Sequence, residues 1–263
     1  MKIGIIGGGA WGSALKVLVQ RKNHSVDEDL AAAELWLIAV PAAYFRASVI
    51  AARDLYRKQP IIICTKGMEP GTHLFMSEVL AAELPESDGL VGVLSGPQFA
   101  AEVASGVATG STLAGSDAVL SVGLKALGEF YLEETNDVVG VQICGCGKNA
   151  AAIVAGFYSE KSRGENERAM MLSRAWSEVV DFGLAFGADA RTFSLLCGVG
   201  DLFLSAASAT SRNFSAGVAI ARGEPVVGTV EGLSALQGLA LRAKALGVKT
   251  PVLNSIEKIL FEL

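Results

Sequence analysis

The chain has 263 residues, enough for two modest domains or one large one, and 51% hydrophobic residues with a mean hydropathy of +0.43 call for a large buried fraction. A net charge of −5, with no basic run longer than Arg21-Lys22, leaves no electrostatic footprint for nucleic acid. The cysteines, Cys64, Cys144, Cys146 and Cys197, lack zinc or CxxC spacing, and only His24 and His73 could join them, so no metal site is indicated. Cys144 and Cys146 read as small apolar residues of a helix in a reducing cytoplasm.

The N-terminus places Ile3, Ile5 and Ile6 before Gly7-x-Gly9-x-x-Gly12 and an Ala/Leu/Val segment, a strand, a glycine turn and a helix. The glycines permit a tight turn, close approach of backbone to a pyrophosphate and close helix-strand packing, and the helix N-terminus adds N–H groups and a positive dipole end. Dinucleotide binding is the expectation. A secretory leader, suggested by Lys2 ahead of apolar residues, is disfavoured by the glycines. Strand-like runs recur at Leu35–Val40, Ile61–Cys64, Leu90–Leu94, Thr109–Ala114 and, more weakly, Phe130–Leu132, with helix-length segments such as Ala43–Arg57 and Leu74–Leu84 between them. This alternation predicts an α/β fold with a parallel, doubly wound sheet. After the polar cluster Glu133–Asp137 the pattern turns helical, at Met170–Phe186, Thr192–Leu196, Val218–Arg222 and Ser234–Leu246. The expected division is a shortened Rossmann-like, dinucleotide-binding domain over 1–136 and an all-α-helical substrate domain over 137–263.

Between Asp137 and Glu160 lie twenty-two residues, VVGVQICGCGKNAAAIVAGFYS, in which Lys148 is the one group of fixed charge. Burying an ammonium costs several kcal/mol unless it is paired or deprotonated, and desolvation lowers its pKa toward the range of proton transfer. Lys148 is therefore the first catalytic candidate, with a lysine snorkelling from a buried helix as the plainer alternative. The same charge, with Gln142, Asn149 and several glycines, argues against a membrane span. Val40-Pro41, Thr65-Lys66-Gly67 and Ser95-Gly96-Pro97-Gln98-Phe99-Ala100 each follow a strand, at the carboxyl edge where open α/β sheets bind ligands. Gly198-Val199-Gly200-Asp201-Leu202 sets a carboxylate among apolar residues, and Ser211-Arg212-Asn213 offers a planar cation suited to phosphate. The plainer readings are Lys66 and Glu69 as surface turn residues, Asp201 as a helix N-cap, and Ser211 as a cap with Arg212 in solvent.

The motifs GGGAWGSAL, Val40-Pro41, TKGME at Thr65–Glu69, SGPQFAAE at Ser95–Glu102, GVQICGCGKN ending in Lys148-Asn149, GENERA at Gly164–Ala169, GVGDL, SRNFSAG and VEG at Val230–Gly232 follow one order across nearly the whole chain. In them the chain resembles bacterial NAD(P)-dependent glycerol-3-phosphate dehydrogenases. The resemblance implies hydride transfer between the nicotinamide of NAD or NADP and C2 of glycerol 3-phosphate, or the reverse reduction of dihydroxyacetone phosphate, feeding phospholipid synthesis. By motif position it implies Lys148 as general acid/base at the C2 oxygen, Asp201 as the carboxylate orienting it, and Asn149 beside them. Lys66 would hold substrate near the nicotinamide, and Ser211, Arg212 and Asn213 would take the phosphate and adjoining cofactor groups. Thr229 and Glu231 would contact the cofactor, with Gly7, Gly9, Ala10, Trp11 and Gly12 forming its turn. Gly96, Gln98 and Ala100 would line the cleft.

Against that family, Lys22-Asn23-His24-Ser25-Val26 runs directly into Asp27-Glu28-Asp29-Leu30-Ala31, omitting the rest of the second strand, the next helix and the third strand, roughly 35 residues of the region that holds adenosine. Asp27 falls near the spacing of a ribose-binding acid at the end of a stub strand, and reads equally well, with Glu28 and Asp29, as a helix N-terminal acid. The pyrophosphate turn is expected to survive and the adenine pocket to be lost. Ile3–Ile6 would keep a bare edge unless Asn23–Val26 or another subunit covers it, which predicts a homodimer or larger assembly. Cys144-Gly145-Cys146-Gly147 and the bulkier Phe157–Ser162 also depart from the family. Two readings stand: an active dehydrogenase, and a noncatalytic or cofactor-impaired descendant serving as a binding or scaffold protein.

Overall fold

The computed structural model describes residues 1–208 and 210–261. Its first half alternates β1 (Lys2–Ile6), α1 (Ala10–Arg21), β2 (Ser25–Val26), β3 (Leu35–Ile38), α2 (Ala42–Ala52), β4 (Ile61–Ile63), α3 (Met76–Glu83), β5 (Val91–Ser95), α4 (Ala100–Ser105), β6 (Gly110–Ala114), α5 (Asp117–Leu127) and β7 (Tyr131–Thr135). The strands form one sheet in the order β2-β1-β3-β4-β5-β6-β7. β3 and β4 read LWLI and III and are buried throughout, as central strands covered on both faces must be. Ile3, Leu37, Ile62 and Leu113 pack with α1 and α5 on one face. On the other, Trp36, Phe45 and Phe75 join a core that continues into the helical half.

The expected α/β sheet is present with one correction to its direction: β5 and β6 are antiparallel, pairing Val93 with Ala114 and Ser95 with Thr112. The chain turns back through the six-residue α4 instead of making a full crossover, so β6 and β7 run against the other strands. Gly96, at the end of β5, is thereby pressed against β6, where a Cβ would stand 2.7 Å from Ser111 Cα.

The stub strand forms. Ser25 and Val26 pair with Lys2 and Ile3 of β1, so the Asn23–Val26 segment covers half of that edge and leaves Gly4 to Ile6 beyond its reach. Asp27 closes β2, donating its N–H to Ile3 O, and Asp29 caps a single 3₁₀ turn at Leu30–Ala32. The stub strand and a helical turn capped by one acid of the triplet are thus both present.

The second half contains α6 (Val138–Lys161), α7 (Glu165–Ala185), α8 (Asp201–Ala207), α9 (Arg212–Arg222), α10 (Glu231–Ala245) and α11 (Pro251–Phe261). Thr192–Leu196 is not an α-helix: a 3₁₀ segment at Ala190–Ser194 gives way to a π-type turn at Leu196–Gly200, in which a Cβ on Gly198 would lie 2.2 Å from Phe193 O. α6 is apolar and long enough to cross a membrane, yet 89% of its apolar window is buried inside the protein, and it serves as the central core helix. Its glycines permit close crossing with α9, since a Cβ on Gly156 would meet Phe214 O at 2.0 Å. Asp137 starts it by accepting from Gly140 N at 2.7 Å.

Polar ties fix the helical half against the sheet half. Gln142 of α6 exchanges hydrogen bonds with Ser77 of α3, accepting from its N–H at 2.9 Å and donating to its Oγ at 2.8 Å. Arg242 of α10 donates twice to Glu78 of α3, at 2.6 and 2.8 Å, while its guanidinium covers the rings of Phe75 and Phe186.

Candidate functional site

The carboxyl ends of β1, β3, β4 and β5 face α6, α8 and α9 across a cleft of about 440 Å³. At one end is the glycine turn. Gly7 has φ +125°, and a Cβ there would sit 2.5 Å from Ala39 O; one on Gly12 would sit 1.9 Å from Gly7 O. These two glycines close the turn upon itself. A Cβ on Gly8 or Gly9 meets nothing within 4 Å, so that side of the turn stays open for backbone approach to a ligand. Helix α1 begins there with no side-chain cap and no acidic residue in its first turn, which leaves its N–H groups and dipole end receptive to an anion. Ala10 and Trp11 line the adjoining cleft.

The floor is built around Asp201, the first residue of α8, which is 1% exposed. Its Oδ2 pairs with Lys66 Nζ at 2.7 Å and its Oδ1 with Lys148 Nζ at 2.9 Å. Lys66, on the loop after β4, also donates to Gly96 O at 2.7 Å. Lys148, in mid-α6, also donates to Ser205 Oγ at 2.8 Å, and Ser205 lies one turn beyond Asp201 on the same helix. An ammonium carries three N–H donors, so each lysine keeps one beyond these two bonds for a ligand in the cleft. Burial by itself raises the Asp201 pKa, but the Lys148 and Lys66 charges outweigh it and hold the carboxylate below its ordinary range. Lys148 goes the other way. Desolvation pulls its pKa below the usual lysine value, Asp201 restores only part of that, and the Lys66 charge adds to the fall.

The opposite wall comes from α9 and α10. Ser211 caps α9, its Oγ accepting from Phe214 N at 3.4 Å, and Arg212, at the first turn, is exposed and donates to Thr229 O at 3.3 Å. The plainer reading of this pair holds locally, yet both side chains border the cleft. Asn213 is largely engaged: its Nδ2 donates to Asn149 Oδ1 at 2.7 Å and its Oδ1 accepts from Gly232 N at 3.0 Å, tying α6, α9 and α10 together. Glu231, at the start of α10, has its pKa raised by burial, opposed by Arg212, Lys148 and Lys66. Gln98 and Ala100 lie on the sheet side. Both amide atoms of Gln98 are buried with no hydrogen-bond partner among the described residues, a costly arrangement unless a ligand supplies one.

Of the residues expected from sequence, Gly9, Ala10, Trp11, Lys66, Gln98, Ala100, Lys148, Asn149, Asp201, Ser211, Arg212, Asn213, Thr229 and Glu231 meet at this cleft. Gly7, Gly12 and Gly96 shape its edge instead of lining it. Glu69 is a packing residue, accepting two hydrogen bonds from Arg46 at 2.8 and 2.7 Å. Sequence reasoning missed Ser205, whose spacing of four from Asp201 was its only signal. Thr65, named there only as part of the cluster after β4, has a structural role of its own: its Oγ1 donates to Val40 O at 2.7 Å and joins the ends of β3 and β4.

Residues 137–263 match the family model described as NAD-dependent glycerol-3-phosphate dehydrogenase C-terminus, and residues 24–120 match its N-terminus counterpart. A curated glycerol-3-phosphate dehydrogenase (NAD(P)+) from Bradyrhizobium sp. strain BTAi1 is 36% identical over 300 residues, covering 98% of this chain and 91% of the relative. One from Methylobacterium radiotolerans is 36% identical over 303 residues, with coverages of 98% and 91%. The crystal structure of glycerol-3-phosphate dehydrogenase from Coxiella burnetii superimposes with a TM-score of 0.87 at 27% identity, covering 99% of this chain and 94% of that one. Alignments of 300 residues or more exceed the 263-residue chain, as they must if the relatives carry a segment that is missing here.

Proposed function

We propose, on the premise that the chain belongs to the NAD-dependent glycerol-3-phosphate dehydrogenase family, that it is an oxidoreductase interconverting sn-glycerol 3-phosphate and dihydroxyacetone phosphate with NAD or NADP. The observation that carries this reading is the buried Lys66–Asp201–Lys148 cluster on the cleft floor. A bound nicotinamide cofactor would supply the hydride-transfer chemistry at substrate C2. The protein handles the proton at the C2 oxygen: Lys148 Nζ donates it during ketone reduction and takes it back during alcohol oxidation. Its lowered pKa brings neutral and charged forms closer in energy near neutral pH. Asp201 fixes the direction of that ammonium and keeps it from being an isolated buried charge. Lys66, tethered by Gly96 O, turns its remaining N–H to the substrate, with Asn149 and Gln98 beside it. Arg212 and Ser211 at the N-terminus of α9, with the remaining Asn213 N–H, suit the substrate phosphate. The open Gly9, Ala10 and Trp11 at the uncapped start of α1 would hold cofactor phosphate, and Ala100, Thr229 and Glu231 would contact the nicotinamide side. No observation favours the noncatalytic reading, since each expected proton-handling group is retained with a partner.

The division into a 1–136 cofactor domain and a 137–263 substrate domain is supported by the change from strands to helices after β7. A homodimer is supported by the half-covered β1 edge and by Val199 and Phe203, one turn apart and 51% and 76% exposed. A monomer in sedimentation at micromolar concentration contradicts it. Buried, unpaired thiols suit a reducing cytoplasm, where the product would enter phospholipid synthesis. The test of the activity is dihydroxyacetone-phosphate-dependent oxidation of NADH and NADPH over a wide cofactor range, with glycerol 3-phosphate identified as product. A folded protein without turnover at any cofactor concentration refutes it.

A further inference from the structure

We propose that this chain recognises its cofactor through the nicotinamide mononucleotide half alone, the adenosine half adding no net affinity. The inference rests on the reading above that the cleft takes a nicotinamide cofactor. In a dinucleotide fold adenosine lies over the end of the second strand, its ribose hydroxyls on an acid there. Here β2 is two residues long and forms the edge of the sheet, with no strand outside it among the described residues.

The acid at the end of β2 is already engaged. Asp27 Oδ1 accepts from Asp29 N at 3.0 Å, and Oδ2 pairs with Lys2 Nζ at 3.4 Å. The connection from β2 to β3 is folded back onto the sheet: Leu30 O accepts from Trp36 Nε1 at 2.8 Å and Gln59 Nε2 at 3.2 Å, and the Leu30 side chain packs over Gly4, where a Cβ would lie 2.7 Å from its Cδ2. Accordingly, the cleft is lined by the glycine turn and by residues from Ala39 onward, and by nothing between Trp11 and Ala39. The open Gly8 and Gly9 and the uncapped start of α1 would hold the phosphate of the mononucleotide half, and no described residue between Trp11 and Ala39 lines the cleft to receive an adenosine.

An acid accepting ribose hydroxyls is ordinarily worth roughly 10- to 100-fold in affinity. The test is fluorescence titration of the full chain with reduced nicotinamide mononucleotide, NADH and NADPH, using energy transfer from the protein tryptophans, of which Trp11 borders the cleft. The three dissociation constants are expected to agree within about fivefold, 5′-AMP at millimolar concentration to displace none of them, and Asp27→Ala to leave NADH affinity within about twofold of the native value. NADH binding more than about fivefold tighter than the mononucleotide, or displacement by 5′-AMP, overturns the inference while leaving the dehydrogenase reading intact. Failure of all three to bind a folded protein removes the cofactor reading and this inference with it.

Discussion

Replacing Asp201 with asparagine removes one negative charge from between two ammonium groups and leaves the side chain's size unchanged. The carboxylate is 1% exposed and lies 2.7 and 2.9 Å from Lys66 and Lys148, so water does not substitute for it, and Glu231 acts on the two ammonium groups only through space. Removing one partner of a buried ion pair costs about 3–5 kcal/mol, set against a total stability of about 5–15 kcal/mol. With a urea m-value of about 3 kcal/mol/M, the midpoint should fall by roughly 1–2 M at pH 7. The pH dependence identifies the cause. Lys148 has a folded pKa below its unfolded one, and loss of Asp201 lowers it further, so the unfolded chain binds more protons between those values and stability rises with pH there. The variant's deficit should therefore be largest at pH 7 and shrink as pH rises toward the native Lys148 pKa. Asp201 itself, with a lowered folded pKa, contributes native stability that is full above its unfolded pKa and lost as pH falls through the folded one. Urea titrations at pH 7 and pH 9.5 that give the same deficit, or a midpoint shift at pH 7 below about 0.3 M, refute the electrostatic account.

Gly9→Ala adds a methyl to open space and Gly12→Ala drives one into Gly7 O at 1.9 Å. The first should weaken NADH binding with the melting temperature unchanged; the second should destabilise by about 1–3 kcal/mol, read by thermal denaturation. Arg242→Ala removes two hydrogen bonds to Glu78 and the cover over Phe75 and Phe186, and should cost about 2–3 kcal/mol in urea unfolding with KM nearly constant. With Lys148 as the proton-transfer group, kcat for glycerol 3-phosphate oxidation should rise with pH through its lowered pKa, and kcat for ketone reduction should fall over the same interval. Profiles that move in the same direction contradict that assignment.

The glycine turn and the buried lysine were legible because each breaks a local rule in one way: glycines where a strand meets a helix, and a lone charge in an apolar helix. Strand positions were legible as apolar runs, but the direction of β6 was not, since Thr109–Ala114 carries the same pattern whichever way it pairs and only the short α4 return reverses it. Thr192–Leu196 has helical composition, but its 3₁₀ and π geometry folds Gly198 against Phe193 O, five residues back, where a side chain would not fit. Ser205 resembles any helical serine until Lys148, fifty-seven positions away in sequence, is brought within 2.8 Å. Asn213 was expected at a phosphate, yet its amide mostly ties three helices together, a use set by Asn149 and Gly232.

The most direct test of the central claim compares native protein and Lys148→Ala for dihydroxyacetone-phosphate-dependent NADH oxidation at saturating cofactor, with NADH affinity measured on both. The account predicts that the variant binds NADH as the native protein does and loses about 10²- to 10⁴-fold in kcat, the usual contribution of a positioned general acid. A variant that binds NADH and turns over at the native rate would remove Lys148 from the chemistry and the buried cluster from the explanation.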